Sequence, residues 1–123
     1  MEGKRMLIVE DDTHTAEAYS AHFRRLGMHV QVAADGEAAL ALMPNFQPDI
    51  ILLDLIMPKK SGVEVFTELK QSDSTKNIPI LVLTNIQEGE ELERAVQAGI
   101  NAYYVKADHS LKEITNLVEE ALQ

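Results

Sequence analysis

Polar residues with the means to do chemistry stand directly behind short apolar runs. Glu10, Asp11 and Asp12 follow Met6-Leu7-Ile8-Val9, Asp54 follows Ile50-Ile51-Leu52-Leu53, Thr84 follows Ile80-Leu81-Val82-Leu83, and Lys106 follows Ala102-Tyr103-Tyr104-Val105. If those runs lie side by side, Glu10, Asp11 and Asp54 crowd like charges together. Such a cluster must raise carboxyl pKa values or gather a cation. Hard carboxylate oxygens with no Cys or His among them suit Mg²⁺, which keeps waters and shares a substrate phosphate. Lys106 is a point charge for a phosphate oxygen, and the Thr84 hydroxyl can donate to another. A carboxylate nucleophile beside a metal and a lysine is a route to an aspartyl-phosphate. Asp54 is the residue this chemistry singles out.

The positioning elements are legible as changes of period. The four apolar runs are short, continuous and rich in Ile, Val and Leu, as strands buried on both faces are. His29-Val30-Gln31-Val32 alternates instead and predicts an edge strand. Between the strands the spacing turns helical. Ala16, Tyr19, Phe23 and Leu26 form one stripe, stopped by Gly27. Ala39, Leu42 and Met43 form a shorter one, cut off by Pro44. Val63, Phe66 and Leu69 mark a third helix. Leu92 and Val96 mark a fourth, closed by Gly99, and Leu111, Ile114, Val118 and Ala121 mark a fifth. Ser110 and Glu113 have capping-box spacing ahead of the last helix, and Asp12 can cap the first. Five strand–helix units predict an α/β, flavodoxin-like, doubly wound parallel sheet of five strands with five helices, order 2-1-3-4-5. In such a sheet the site lies beyond the carboxyl ends of the strands, where these polar residues converge.

Length and composition narrow the field. The 123 residues predict a single domain spanning 1–123. A net charge of −9 argues against direct nucleic-acid binding and against anionic membrane surfaces. The absence of cysteine excludes disulfides and thiol catalysis. Residues 6–9 are too short for a membrane span or signal core, so a soluble cytoplasmic location is expected. His14, His22, His29 and His109 have no ligand spacing and read as surface or packing residues. Glu88, Glu90, Glu91 and Glu93 read as a solvated helix face, with room for a basic partner.

At the residue level the chain resembles a receiver domain of the two-component response regulator family over essentially its whole length. The motifs are Val9-Glu10-Asp11, Asp54-Leu55-Ile56-Met57-Pro58 with Gly62 downstream, Thr84 and Lys106. The resemblance implies that Asp54 is the phosphoacceptor. It implies Asp11, Asp54 and the backbone carbonyl of Ile56 as direct Mg²⁺ ligands, with Glu10 holding metal-bound water. Lys106 and Thr84 would contact the phosphate, and Tyr103 would be the switch aromatic. The donor would be a phosphohistidine on a sensor histidine kinase or histidine phosphotransfer protein. The output would be contact with another protein, whose identity the sequence does not give. On this reading the chain is not an enzyme, beyond self-phosphorylation and slow autodephosphorylation.

Three positions depart from the family pattern. Ala107 stands where proline usually follows a cis bond, so a trans Lys106–Ala107 bond is expected. Asn85 is larger than the usual residue and narrows access to the phosphoryl group. Ile56 is apolar beside the path of an attacking water, which predicts a long-lived phosphoryl group. Rival readings fare less well. An aspartate-nucleophile phosphatase usually has a second Asp where Ile56 stands. A flavin carrier would place phosphate against Glu10-Asp11-Asp12. A receiver-like interaction module that works without phosphorylation is the remaining alternative.

Overall fold

The structure is a computed structural model that describes residues 1–57, 59–85, 89–100 and 102–123. Pro58 of the acceptor segment and Glu88 of the acidic run lie outside the described residues. The elements run β1 (Arg5–Val9), α1 (Thr13–Arg25), β2 (His29–Ala33), α2 (Gly36–Phe46), β3 (Ile50–Leu53), α3 (Gly62–Gln71), β4 (Ile80–Thr84), α4 (Glu90–Gln97), β5 (Tyr104–Val105) and α5 (Leu111–Ala121). A 3-10 turn covers Lys106–Asp108. The sheet is parallel with order β2-β1-β3-β4-β5. Fold class and strand order are as the sequence predicts, including β2 at an edge. No described helix is long and apolar enough to cross a membrane.

Side-chain alternation along each strand divides the apolar residues into two cores. Met6, Ile8, Ile50, Leu52, Leu81 and Leu83 face α1 and α5, where Phe23, Ile114 and Val118 bury. Leu7, Val9, Ile51, Leu53 and Val82 face α2, α3 and α4, where Met43, Phe66 and Ala95 bury. Full burial of one such side chain stabilises by about 1.5–3 kcal/mol. Two cores on two faces therefore pin each strand's register, since a slip by one residue would exchange them.

Several local expectations are corrected. Pro44 does not cut off α2, which runs on to Phe46 before Gln47 closes it in a left-handed conformation. Pro44 sits in the last turn, where its missing N–H forfeits a single helical bond. In α1, Leu26 is the C-cap residue and is exposed, and buried Ser20 joins the inner face instead. Asp12 holds the N-cap position, but its carboxylate accepts the Thr15 hydroxyl at 2.5 Å rather than a main-chain N–H. In α4 the buried residue is Ala95, and Val96 is 60% exposed. The helix is short and presents only its small residue to the sheet. Strand β5 keeps two of the four predicted residues, and both are half-buried rather than enclosed. The Ser110–Glu113 capping box is present in both directions, and Ser61 and Glu64 form another at α3. Gly27 and Gly99 each take positive φ just past a helix end, as their stop role requires.

Candidate functional site

Register brings the polar strand ends together. Val9 pairs with Leu53, so the next residues, Glu10 and Asp54, are neighbours across β1 and β3. The Asp54 N–H donates to the Val9 carbonyl at 3.1 Å, which carries the pairing one step beyond the strand. Thr84 pairs with Val105, so Lys106 lies one step past it on β5. Alternation then places Glu10, Asp54 and Lys106 on the α1–α5 side and Thr84 on the opposite side. This explains why the Lys106 ammonium donates to Glu10 Oε2 and lies 3.3 Å from Asp54 Oδ2.

Burial gives these contacts their weight. Glu10 and Asp54 are only 5% and 8% exposed, whereas Asp11 is on the exposed rim. Burial pushes both the Glu10 and Asp54 carboxyls above the usual carboxylate range. For Glu10 the Lys106 hydrogen bond works against that rise and the Asp54 charge adds to it. For Asp54 the Lys106 charge and hydrogen bond oppose it, helped by the Leu55 and Ile56 main-chain N–H groups. Burial disfavours the charge on Lys106, but the Glu10 hydrogen bond and the two carboxylates outweigh it and hold its pKa above the ordinary lysine value. Burial is the largest cause at all three groups, and beyond it the cluster holds more carboxylates than cations.

That imbalance bears on the metal. One carboxylate oxygen each from Glu10, Asp11 and Asp54 lie within 4.8 Å of one another. Three carboxylates against one ammonium leave two uncompensated negative charges, which a divalent cation balances. The donor set is all oxygen, with no histidine in it, and fits Mg²⁺. Ile56 follows closely on the exposed rim, its side chain 52% exposed.

The surroundings fix the loop that carries Asp54. A Cβ on Gly62 would stand 2.0 Å from the Asp54 carbonyl oxygen and 2.6 Å from Leu55 Cα. Only glycine lets the start of α3 approach so closely, and the Gly62 N–H donates to the Leu55 carbonyl at 2.8 Å. Beneath the site, Glu10, Tyr19, Asp54 and Lys106 line a void of only about 10 Å³. Tyr19, which its helical stripe identified only as a core residue, is thus packed against the charged cluster. Burial raises its hydroxyl pKa, so it remains protonated. A larger hollow of about 480 Å³ between α1 and β2 takes in Glu10 and Asp11 but neither Asp54 nor Lys106. Toward α5, an open groove of about 400 Å³ is lined by Thr15, Tyr19, Asn85, Lys106 and Ala107.

Thr84 is buried at the end of β4. Tyr103 is half-buried and packs against the core on the α2–α3–α4 side, the side to which alternation assigns Thr84. Tyr104 packs on the other side, edge-on to His109 at 5.5 Å. No peptide bond is cis among the described residues, so Lys106–Ala107 is trans. The Ala107 N–H donates to Asn85 Oδ1 at 3.2 Å, a contact between two of the departing positions that neither residue signals alone. Of the scattered histidines, His22 shares a hydrogen bond of 2.7 Å with Thr115, joining α1 to α5.

A family model for the response regulator receiver domain matches residues 6–119. The chain is 34% identical over 102 residues to the DNA-binding dual master transcriptional regulator RpaA of Synechocystis, a match covering 83% of this chain and 42% of that protein. It is 33% identical over 123 residues to the probable methanogenesis regulatory protein FilR2 of Methanothrix harundinacea, covering 94% of this chain and 79% of that one. The chain thus spans less than half the length of RpaA. Among solved structures it is similar to the receiver domain of a sensor histidine kinase from Pseudomonas aeruginosa, with a TM-score of 0.87, 28% identity and 98% of both chains covered. That structure has a magnesium ion coordinated in its active site cleft.

Proposed function

The chain belongs to the response regulator receiver domain family, and we propose that it is a signalling switch thrown when Asp54 accepts a phosphoryl group with the help of Mg²⁺. The observation that carries this reading is a buried Asp54 carboxylate with the Lys106 ammonium 3.3 Å away, inside a cluster of oxygens fit for a divalent cation. Held by Asp11, Asp54 and the Ile56 carbonyl, with Glu10 on its bound water, Mg²⁺ would supply charge neutralisation and a template for the phosphoryl oxygens.

The protein's own residues do the rest. An Asp54 carboxylate oxygen attacks phosphorus in line. The new O–P bond forms as the P–N bond to a donor phosphohistidine breaks. The bonding pair stays on the imidazole nitrogen, which then takes a proton. Lys106 balances charge on the transferring oxygens, so catalysis is positioning plus electrostatics. The donor is a sensor histidine kinase or a histidine phosphotransfer protein. Once the phosphoryl group is in place, its oxygens draw in the Thr84 hydroxyl. Tyr103, on the same side of the sheet, moves into the space released, and the surface of α4, β5 and α5 changes for an output protein. This is a shift between two populated states. With a net charge of −9, that partner is a protein rather than nucleic acid.

The test is incubation with acetyl phosphate and Mg²⁺, read by intact mass. A single phosphoryl adduct is expected, absent in Asp54→Ala and absent with EDTA. If the unsubstituted protein takes no adduct from any phosphodonor, the interaction module without phosphorylation replaces this reading.

A further inference from the structure

The loop that carries Lys106 is thinly held. Strand β5 has two residues, and at the end of the 3-10 turn after it the His109 N–H donates to the Lys106 carbonyl at a long 3.4 Å. The main-chain pairing of β4 with β5 ends at Thr84 and Val105. A side-chain tie crosses the gap. Asn85, directly after Thr84, accepts the Ala107 N–H on its side-chain oxygen, directly after Lys106. A side chain thus extends the ladder where the strands stop, and it ties together the two residues that flank the phosphate-contacting pair. The bond requires both partners, since a proline at 107 would have no N–H to give.

We infer that Asn85 is a positioning residue for phosphoryl acceptance, aiming the Lys106 ammonium at Asp54 by latching the Ala107 main chain. The inference rests on the proposed phosphoryl transfer to Asp54. Among the described residues Asn85 has its hydrogen bond to Ala107 and is not one of the clustered carboxylates, so its substitution removes no metal ligand. An exposed hydrogen bond of this kind is worth a modest factor, about threefold to tenfold in the population of the aimed loop.

The experiment compares the rate of adduct formation from acetyl phosphate in Asn85→Ala and Asn85→Leu, with Mg²⁺ affinity measured alongside by calorimetry. Leucine keeps the bulk of asparagine and loses the acceptor. Both variants are expected to slow acceptance by about threefold to tenfold, with Mg²⁺ affinity within a factor of about two. In a Lys106→Met background the Asn85 substitutions are expected to have no further effect, because there is no ammonium left to aim. A faster Asn85→Ala with an unchanged Asn85→Leu would make Asn85 a steric gate and overturn the inference. So would unchanged rates in both, or an equal loss in the Lys106→Met background. An unsubstituted protein that takes no adduct fails the underlying function instead, a distinct result.

Discussion

The Asp54 carboxylate, the proposed acceptor, is set among side chains that divide the work. Asp54 and Glu10 are buried and costly to charge, and Lys106 is the counter-charge that makes them tolerable. Ile56 is different: it stands on the rim, 52% exposed, and its main-chain N–H serves Asp54 while its apolar side chain has no hydrogen bond to offer. A water attacking the phosphoryl group from that rim finds no side-chain group at 56 to orient it or take its proton. Substituting Ile56→Asn is expected to shorten the phosphoryl lifetime by about tenfold or more, since orientation of a nucleophile accounts for factors of this size and larger. Decay of the purified adduct by intact mass checks it; rapid loss from the unsubstituted protein, with no change in the variant, would sink the idea. Residue type and spacing made the convergence of Glu10, Asp11, Asp54 and Lys106 legible in the sequence, because each follows an apolar run. The Asn85–Ala107 bond was not legible. It depends on where two loops from distant parts of the chain come to rest.

Among the elements, buried and exposed segments differ in how well their pattern announces them. Strands β1, β3 and β4 are enclosed on both faces, so continuous apolar runs marked them accurately. Strand β5 and helix α4 lie where the sheet ends and little covers them, so apolar residues such as Val96 stay outside despite their helical spacing. Pro44 misled for another reason: a proline in a last turn costs little, and chain composition does not say which turn is last. The helix starts are clearer. Asp35 accepts the Ala38 N–H at 2.8 Å, and that bond lowers its pKa. The Ser110 N–H, at 2.9 Å, lowers that of Glu113 in the same way. Lowered carboxyl pKa values contribute stability that is present above the ordinary carboxylate range and is lost as pH falls through the lowered values. Asp54 and Glu10 have raised values and act with the opposite sign: their charge costs stability as pH rises through them. Thermal melts of Glu113→Gln against the unsubstituted protein isolate the first effect. The variant is expected to melt a few degrees lower near neutrality, with the gap closing below about pH 4. A gap that stayed constant across that range would mean that the charge at 113 does not support α5.

For the whole molecule, the carboxylate cluster at the sheet's carboxyl edge would couple folding to a cation held there. The folded chain gathers Glu10, Asp11 and Asp54 to within 4.8 Å, and the unfolded chain disperses them. A ligand that binds only the folded state stabilises it by mass action, about 2.7 kcal/mol at one hundred times its dissociation constant. Melting temperature is therefore expected to climb with Mg²⁺ and to keep climbing logarithmically past saturation. Asp54→Asn separates the two halves of this coupling. Without Asp54's charge, Glu10 keeps Lys106 as its partner with the exposed Asp11 nearby, and the repulsion that Asp54 adds to the larger effect of burial on Glu10 is relieved. The variant is expected to melt higher than the unsubstituted protein in EDTA and to gain much less from Mg²⁺. The two melting curves then cross as the cation is added. If Asp54→Asn melts lower in EDTA, then Lys106 already balances the cluster, and the cation is not needed to offset a folding cost at this edge of the sheet.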